Sequence, residues 1–245
     1  MSAVTIVQLY PDELGVAGDR GNVMAVRERL VRSGIAVTVT EHRVGMTLPN
    51  AADLIIVGNG PVSAMRNMHG DLLANGPAIR ELVESGIPLF AYGSGAELLG
   101  HEVTLRDGTS LEGVGVLPFT AERTDQRKVG YVLTETRFGS VVGFEDNASV
   151  WHLDRAATAL GAIIEGGGNG EGNAEGVISG VMIGTQVGGP VLPLNPLLTE
   201  ALIGFMAERS AFDYAASPAD ADLDRYAERA REVITAHAKH VFSRI

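Results

Sequence analysis

The sequence predicts an α/β fold, a mixed and mostly parallel sheet flanked by helices. Three observations carry this expectation. Short β-branched runs alternate with longer amphipathic stretches through the first half of the chain, which is the pattern of βα units. The run Asp53 to Val57 (DLIIV) is nearly all apolar, as a strand covered on both faces must be. Past residue 100 the chain changes to short strands separated by glycine-rich turns, which adds an antiparallel part.

Val4 to Leu9 reads as the first strand. Asn22 to Ser33 carries Val23, Val26, Leu30 and Val31 at a spacing that lines one helix face, with Gly34 suited to its C-terminal end. Ile35 to Thr40 is the second strand and DLIIV the third. Pro77 to Ser85 is expected to be a helix opened by proline and closed by Gly86, followed by a buried strand from Ile87 to Tyr92. Thr104 to Glu112 centres on Asp107-Gly108, a hairpin dipeptide. Further strands are expected at Val129 to Glu135, Ser140 to Phe144, Ala162 to Glu165 and Val177 to Thr185. Two helices end the chain, Pro196 to Arg209 and one from Pro218 with Ser217 as N-cap. In the last helix Leu223, Tyr226, Ala230, Val233, Ile234 and Val241 fall near one face, expected to pack within the chain. Residues 1–209 are read as one domain and residues 210–245 as a helical extension packed on it, with Ser210 to Pro218 as connector.

The 245 residues, 45% apolar and 20% charged, suit one large globular domain. A formal net charge of −11 argues against nucleic-acid and anionic-membrane surfaces, which need local excesses of Lys and Arg. The chain has no cysteine, which excludes disulfides, thiolate metal sites and cysteine nucleophiles. No basic region precedes the first apolar run, and no apolar stretch approaches the ~20 residues of a membrane span. The expected location is cytoplasmic, without membrane insertion.

Chemistry has three candidate places. The loop Gly58-Asn59-Gly60-Pro61 follows a buried strand, where doubly wound sheets bind ligands and glycines let backbone N–H groups approach an anion; a plain tight turn is the alternative. The segment Tyr92-Gly93-Ser94-Gly95 has the outline of a nucleophile elbow, a strand breaking sharply into a helix near oxyanion-stabilising N–H groups. Its elbow position has no side chain. Ser94 is a weak candidate nucleophile, because the segment does not match G-x-S-x-G and a shift by one residue re-aims the side chain. The third place is Gly184-Thr185-Gln186-Val187-Gly188-Gly189-Pro190, which holds no general base. The six histidines (His42, His69, His101, His152, His237, His240) lie elsewhere and form no metal-ligand spacing. His237 and His240 share a helix face and are expected to be solvated. Gly166 to Gly170 lacks the Lys-Ser/Thr ending of a Walker loop and reads as a turn.

Together the motifs LYPDELGVAGDRGN (Leu9 to Asn22), DLIIVGNG (Asp53 to Gly60), LFAYGSGAELLG (Leu89 to Gly100), EGVGVLPF (Glu112 to Phe119), QRKVGYV (Gln126 to Val132), VGFEDN (Val142 to Asn147) and GTQVGGPVLPLNP (Gly184 to Pro196) resemble the CobB/CobQ-like class I glutamine amidotransferases, most closely the GatD group of lipid II isoglutaminyl synthase subunits. The resemblance runs to about residue 205 and implies a flavodoxin-like sheet. In that family a cysteine at the elbow, with a histidine as base, releases ammonia from glutamine and passes it to a MurT-like Mur ligase, which uses ATP and Mg²⁺ to amidate the α-carboxyl of D-glutamate in lipid II. The family pattern sets the cysteine at Gly93 and the histidine at Gly188, so both are lost here. No cofactor is expected in this chain, ATP and Mg²⁺ belonging to the partner. Arg127 matches a position that holds glutamine, or else forms a surface salt bridge. The family's Asn-His after Gly-Phe-Glu is altered to Asp146-Asn147.

Three functions follow. One is a pseudo-glutaminase subunit paired with a MurT-like ligase that takes ammonia or an amino acid as amine. Another is a glutaminase or hydrolase that recruits Ser94 or Glu97, which requires a base near Ser94. The third is a stand-alone module binding a small ligand beneath Gly60, Gly93 and Gly188, in a pocket enlarged by two missing side chains. The oxyanion-hole backbone is expected to survive the loss of both catalytic side chains, and alone to give little catalysis.

Overall fold

The computed structural model describes residues 3–241, 243 and 244. In chain order its elements are β1 (Val4–Leu9), α1 (Arg20–Arg32), β2 (Val37–His42), β3 (Leu54–Val57), α2 (Val62–Glu84), β4 (Leu89–Tyr92), α3 (Ser94–Leu99), β5 (Glu102–Thr104) and β6 (Ser110–Glu112). There follow β7 (Phe119–Thr136), β8 (Gly139–Leu153), β9 (Gly161–Glu165), β10 (Ala174–Glu175), β11 (Val177–Ser179), β12 (Met182–Thr185), α4 (Val191–Leu194), α5 (Pro196–Ser210), α6 (Asp220–Val241) and β13 (Ser243–Arg244).

The first sheet has the order β11-β12-β4-β3-β1-β2 and is parallel except between β11 and β12. Its central strands β3 and β4 are apolar throughout because both faces are covered. In β3, Leu54 and Ile56 join a core with Val26, Leu30 and Leu202 of α1 and α5, whereas Ile55 and Val57 join one with Met65, Met68 and Leu98 of α2 and α3. The second sheet has the order β10-β9-β7-β5-β6, with β8 and β13 also paired to β7. In the first sheet Val57 pairs with Ala91, and Tyr92 with Thr185. The loops after β3, β4 and β12 therefore emerge side by side at the carboxyl edge, where such sheets bind ligands.

Sequence and structure differ at four places. The helix expected at Pro77 to Ser85 is only the end of α2, which starts at Val62. Met65, Met68, Leu72, Gly76, Ile79 and Val83 are buried at three- and four-residue spacing, so one apolar stripe continues through the Asn75-Gly76-Pro77 segment that imitates a break. Pro77 lies on the exposed face, and burial of the stripe outweighs its missing backbone hydrogen bond. The strands expected at Val129 to Glu135 and Ser140 to Phe144 are parts of a long hairpin of 18 and 15 residues. Its polar outward residues, such as Glu122, Asp125 and Gln126, dilute the apolar signal. Val177 to Thr185 is a hairpin, β11 and β12, turned by Gly180 at φ +60°.

The fourth difference is α6. Its packed face is Asp220, Asp224, Ala227, Arg231, Ile234 and Ala238, one position round from the expected apolar face. Leu223, Tyr226 and Val233 are 50%, 68% and 58% exposed, and the side chain of Val241 lies outside the described ones. Charge decides this orientation. Asp224 meets Arg29 of α1, Asp220 accepts from Arg32 Nε at 2.6 Å, and Arg231 reaches Asn195 and, at 2.7 Å, the Ser140 carbonyl. Among the described residues no helix is long and apolar enough to cross a membrane.

Candidate functional site

A cavity of about 410 Å³ opens at the carboxyl edge of the first sheet. Gly60, Gly93, Ser94 and Arg127, all singled out from sequence, line it; Gly188 does not. Gly188 lines an adjacent, mostly apolar cavity of about 510 Å³ beneath α6.

Gly93 joins β4 to α3 with φ 54° and ψ −128°, a sharp elbow that strains any residue with a Cβ. The space ahead of it is filled. A Cβ built on Gly93 would meet Asn59 Oδ1 at 2.4 Å and Cγ at 2.7 Å. Asn59 Oδ1 accepts from the Ser94 N–H at 2.9 Å and lies 2.9 Å from Ser94 Oγ. Ser94 Oγ in turn accepts from the Gly60 N–H at 2.8 Å and lies 2.9 Å from the Gly60 carbonyl. The two backbone donors facing the elbow, Ser94 N–H and Gly60 N–H, thus have side-chain partners from this same chain. The oxyanion-hole backbone is present but its donors are taken, because Asn59 Oδ1 and Ser94 Oγ accept the hydrogen bonds it would otherwise offer to a substrate.

Gly188 is filled in the same manner. A Cβ there would lie 1.9 Å from the Tyr92 hydroxyl. Burial, then the charges of Asp19 and Asp146, push the Tyr92 phenol well above its ordinary range, and Asn59 hydrogen-bonds to it. Tyr92 therefore stays protonated and is no base at neutral pH. The two missing side chains do not enlarge the cavity, since Asn59 and Tyr92 take their places. Gly188→Ala is expected to destabilise the fold by about 1–3 kcal/mol. In a double-mutant cycle followed by urea denaturation, it should cost less in a Tyr92→Val background.

The charged groups of the wall are paired. Buried Glu97 accepts from Arg123 Nε and Nη2 at 2.8 and 2.6 Å, and Arg127 makes a bidentate pair with Asp146 at 2.6 and 2.8 Å. Arg127 is 60% exposed, a rim position. None of the five histidines with described side chains lines the cavity, and the side chain of His240 lies outside the described ones. His237 is exposed and contacts the Val233 carbonyl of its own helix. Gly166 to Gly170 folds into the turn after β9, where Lys128 donates to the Gly168 carbonyl at 2.7 Å.

The profile of the CobB/CobQ-like glutamine amidotransferase domain matches residues 5–195. The chain belongs to that family. It is 30% identical over 233 residues, 94% of this chain and 95% of the relative, to the GatD subunit of the glutamine-hydrolysing lipid II isoglutaminyl synthase of Staphylococcus aureus (strain N315). It is 26% identical over 172 residues, 69% of this chain and 66% of the relative, to the GatD subunit of Streptococcus pneumoniae (strain ATCC BAA-255 / R6). A solved glutamine amidotransferase superposes with a TM-score of 0.56 at 20% identity, over 82% of this chain and 98% of that one. The fold is therefore that of the class I glutamine amidotransferases.

Behind the cavity of this CobB/CobQ-like domain lie two buried carboxyls that sequence reasoning passed over. Glu175 on β10 accepts from Thr185 Oγ1 at 2.9 Å and from the Gln186 N–H at 2.8 Å, and burial raises it to about 7 despite those bonds. Asp19 accepts from the Ala17 N–H at 3.2 Å, and burial raises it to about 6. Neither lines the cavity. Asn59, Tyr92 and Arg123 were also unmarked as functional; only Asn59 carried a signal, as the one side chain between two glycines after a buried strand. The cavity in this amidotransferase-like chain thus has charged pairs and amides on its wall, with glycine at its elbow, Gly93.

Proposed function

We propose that the chain is a non-hydrolysing glutamine amidotransferase-like subunit that works with a MurT-like Mur ligase. The partner binds ATP and Mg²⁺, activates the α-carboxyl of D-glutamate in lipid II, and takes its amine as ammonia or an amino acid such as glycine. The kinship to two GatD subunits of lipid II isoglutaminyl synthase supports the link to peptidoglycan synthesis. One observation carries the non-hydrolysing part. The elbow has no nucleophile, and its backbone donors are taken by Asn59 Oδ1 and Ser94 Oγ. Ser94 holds that lock together. Its hydroxyl contacts an amide oxygen, a backbone carbonyl and a backbone N–H, and no base is among them to activate it.

The test is glutamate release from glutamine by the purified chain, alone and with a purified MurT-like Mur ligase. The expected result is no release above the uncatalysed background, with ligase turnover on free ammonia or glycine that depends on the presence of this chain. Release at the rate of an intact glutaminase would defeat the proposal.

A further inference from the structure

The last helix turns its apolar stripe away from the body of the protein. Leu223, Tyr226, Ala230, Val233 and His237 recur in α6 at alternating spacings of three and four residues, and all five are exposed. That spacing is the seam of a helix pair, in which each side chain inserts between those of a facing helix. A surface helix normally buries its apolar face and shows its charged one to water. In α6 the order is reversed, since Asp220, Asp224 and Arg231 hold its inner face to the body. The stripe also borders the mostly apolar cavity of about 510 Å³, which Leu223 and Tyr226 line together with Phe144. Continuous exposed apolar surface of this kind marks an interaction site. Charge says what fits it. Outside the ion pairs to the body, the first half of α6 exposes Asp222, Arg225 and Glu228, and the second half Arg229, Glu232 and Lys239, so the first half is net acidic and the second net basic. A helix with that polarity is complementary to a reversed copy of itself.

We propose that α6 pairs with α6 of a second copy of this chain, antiparallel, about a two-fold axis that passes between Ala230 and Val233. The register with the greatest overlap sets Tyr226 of one copy against His237 of the other, and Ala230 against Val233, a small side chain facing a larger one. The 22 residues of α6 make a seam about 33 Å long. Asp222 of each copy then lies beside the Lys239 end of the other. A two-fold pairing uses the same surface on both copies and closes at the dimer. No residue of α6 lines the elbow cavity, so the inference goes beyond the proposed function and either can fail without the other.

The experiment is sedimentation velocity on the full chain across the micromolar range. The expected species has twice the 25.7 kDa of one chain and dissociates on dilution. Tyr226→Glu with Val233→Glu is expected to leave only monomer, with the circular dichroism and melting temperature of the diluted wild-type monomer, because both side chains are exposed. Tyr226→Ser with Val233→Ser covers the case in which the glutamates unfold α6, and is expected to shift the same equilibrium toward monomer. Because the natural chain has no cysteine, orientation can be read by oxidative cross-linking, which needs two Cα atoms within disulfide reach. A mixture of Tyr226→Cys and His237→Cys chains is expected to cross-link, and each variant alone is not. A chain that stays monomeric across the range, a dimer undiminished in both double variants, or cross-linking of either cysteine variant alone rather than of the mixture would overturn the proposal. A monomer whose binding to a purified MurT-like ligase is lost in the glutamate variant would overturn it too, and give the stripe to the ligase instead.

Discussion

Gly93→Cys alone is expected to leave glutamine intact and to destabilise the chain. The φ of 54° and ψ of −128° cost a residue with a Cβ about 1–3 kcal/mol. The contact with Asn59 Oδ1 at 2.4 Å adds an overpacking cost of about 1–3 kcal/mol. Asn59→Gly in the same chain removes the second cost and frees the Ser94 N–H, so the double variant should regain part of the lost stability. Hydrolysis needs a base as well, and a histidine at position 188 cannot enter while the Tyr92 hydroxyl lies 1.9 Å from its Cβ. The expected order is therefore no activity for Gly93→Cys, none for the pair with Asn59→Gly, and activity only when Gly188→His and Tyr92→Val are added. Because the natural chain has no cysteine, iodoacetamide alkylation reports on the new thiol alone. It should be slow in the single variant and faster once Asn59 is removed. Glutamine turnover by the single variant would show that the elbow is open after all.

The second large effect is on the pH dependence of stability. Burial raises Glu175 to about 7 from its ordinary 4.5, so the folded chain keeps this proton where the unfolded chain has released it. This group's contribution to stability is therefore expected to be fully present below pH 4.5 and to be lost as pH rises through the interval to about 7. Asp19, raised to about 6 from 3.8, acts in the same sense at lower pH. Glu145 faces Glu175 and adds to its upward shift. Glu175→Gln keeps an acceptor for Thr185 Oγ1 and the Gln186 N–H and removes the titration. Urea denaturation at several pH values should show the wild-type chain losing a few kcal/mol across that interval relative to the variant, with Glu175→Gln the more stable at alkaline pH. Parallel curves for the two proteins would mean that Glu175 is ionised throughout.

Much of this architecture can be read from residues because local pattern and burial agree there. DLIIV is a central strand, Asp107-Gly108 turns a hairpin with Gly108 at φ +80°, and the three loops chosen as chemical candidates emerge from neighbouring strands. The helix α2 was cut short because Asn75-Gly76-Pro77 imitates a stop, and only the tertiary burial of Met65, Met68 and Leu72 reveals that the helix runs through it. At the site, the glycines at 93 and 188 were legible as missing side chains. What had moved into their places was not, because Asn59 and Tyr92 come from other positions in the chain and their approach depends on sheet geometry. Arg127 and Asp146 are 19 residues apart and meet only through the register of β7 and β8.

The orientation of α6 has a consequence for how the molecule comes apart. A helix whose packed face is Asp220, Asp224, Ala227, Arg231, Ile234 and Ala238, held through Arg29, Arg32 and Arg231, gains little from the hydrophobic effect, and its ion pairs, with Asp220 and Arg29 buried, are screened less by salt than surface pairs are. The two apolar cores meet the first sheet elsewhere. A concentrated kosmotropic salt such as sulfate, which tightens those cores, adds little to the hold of α6, so the last helix gains less from the same solvent than the body of the protein does.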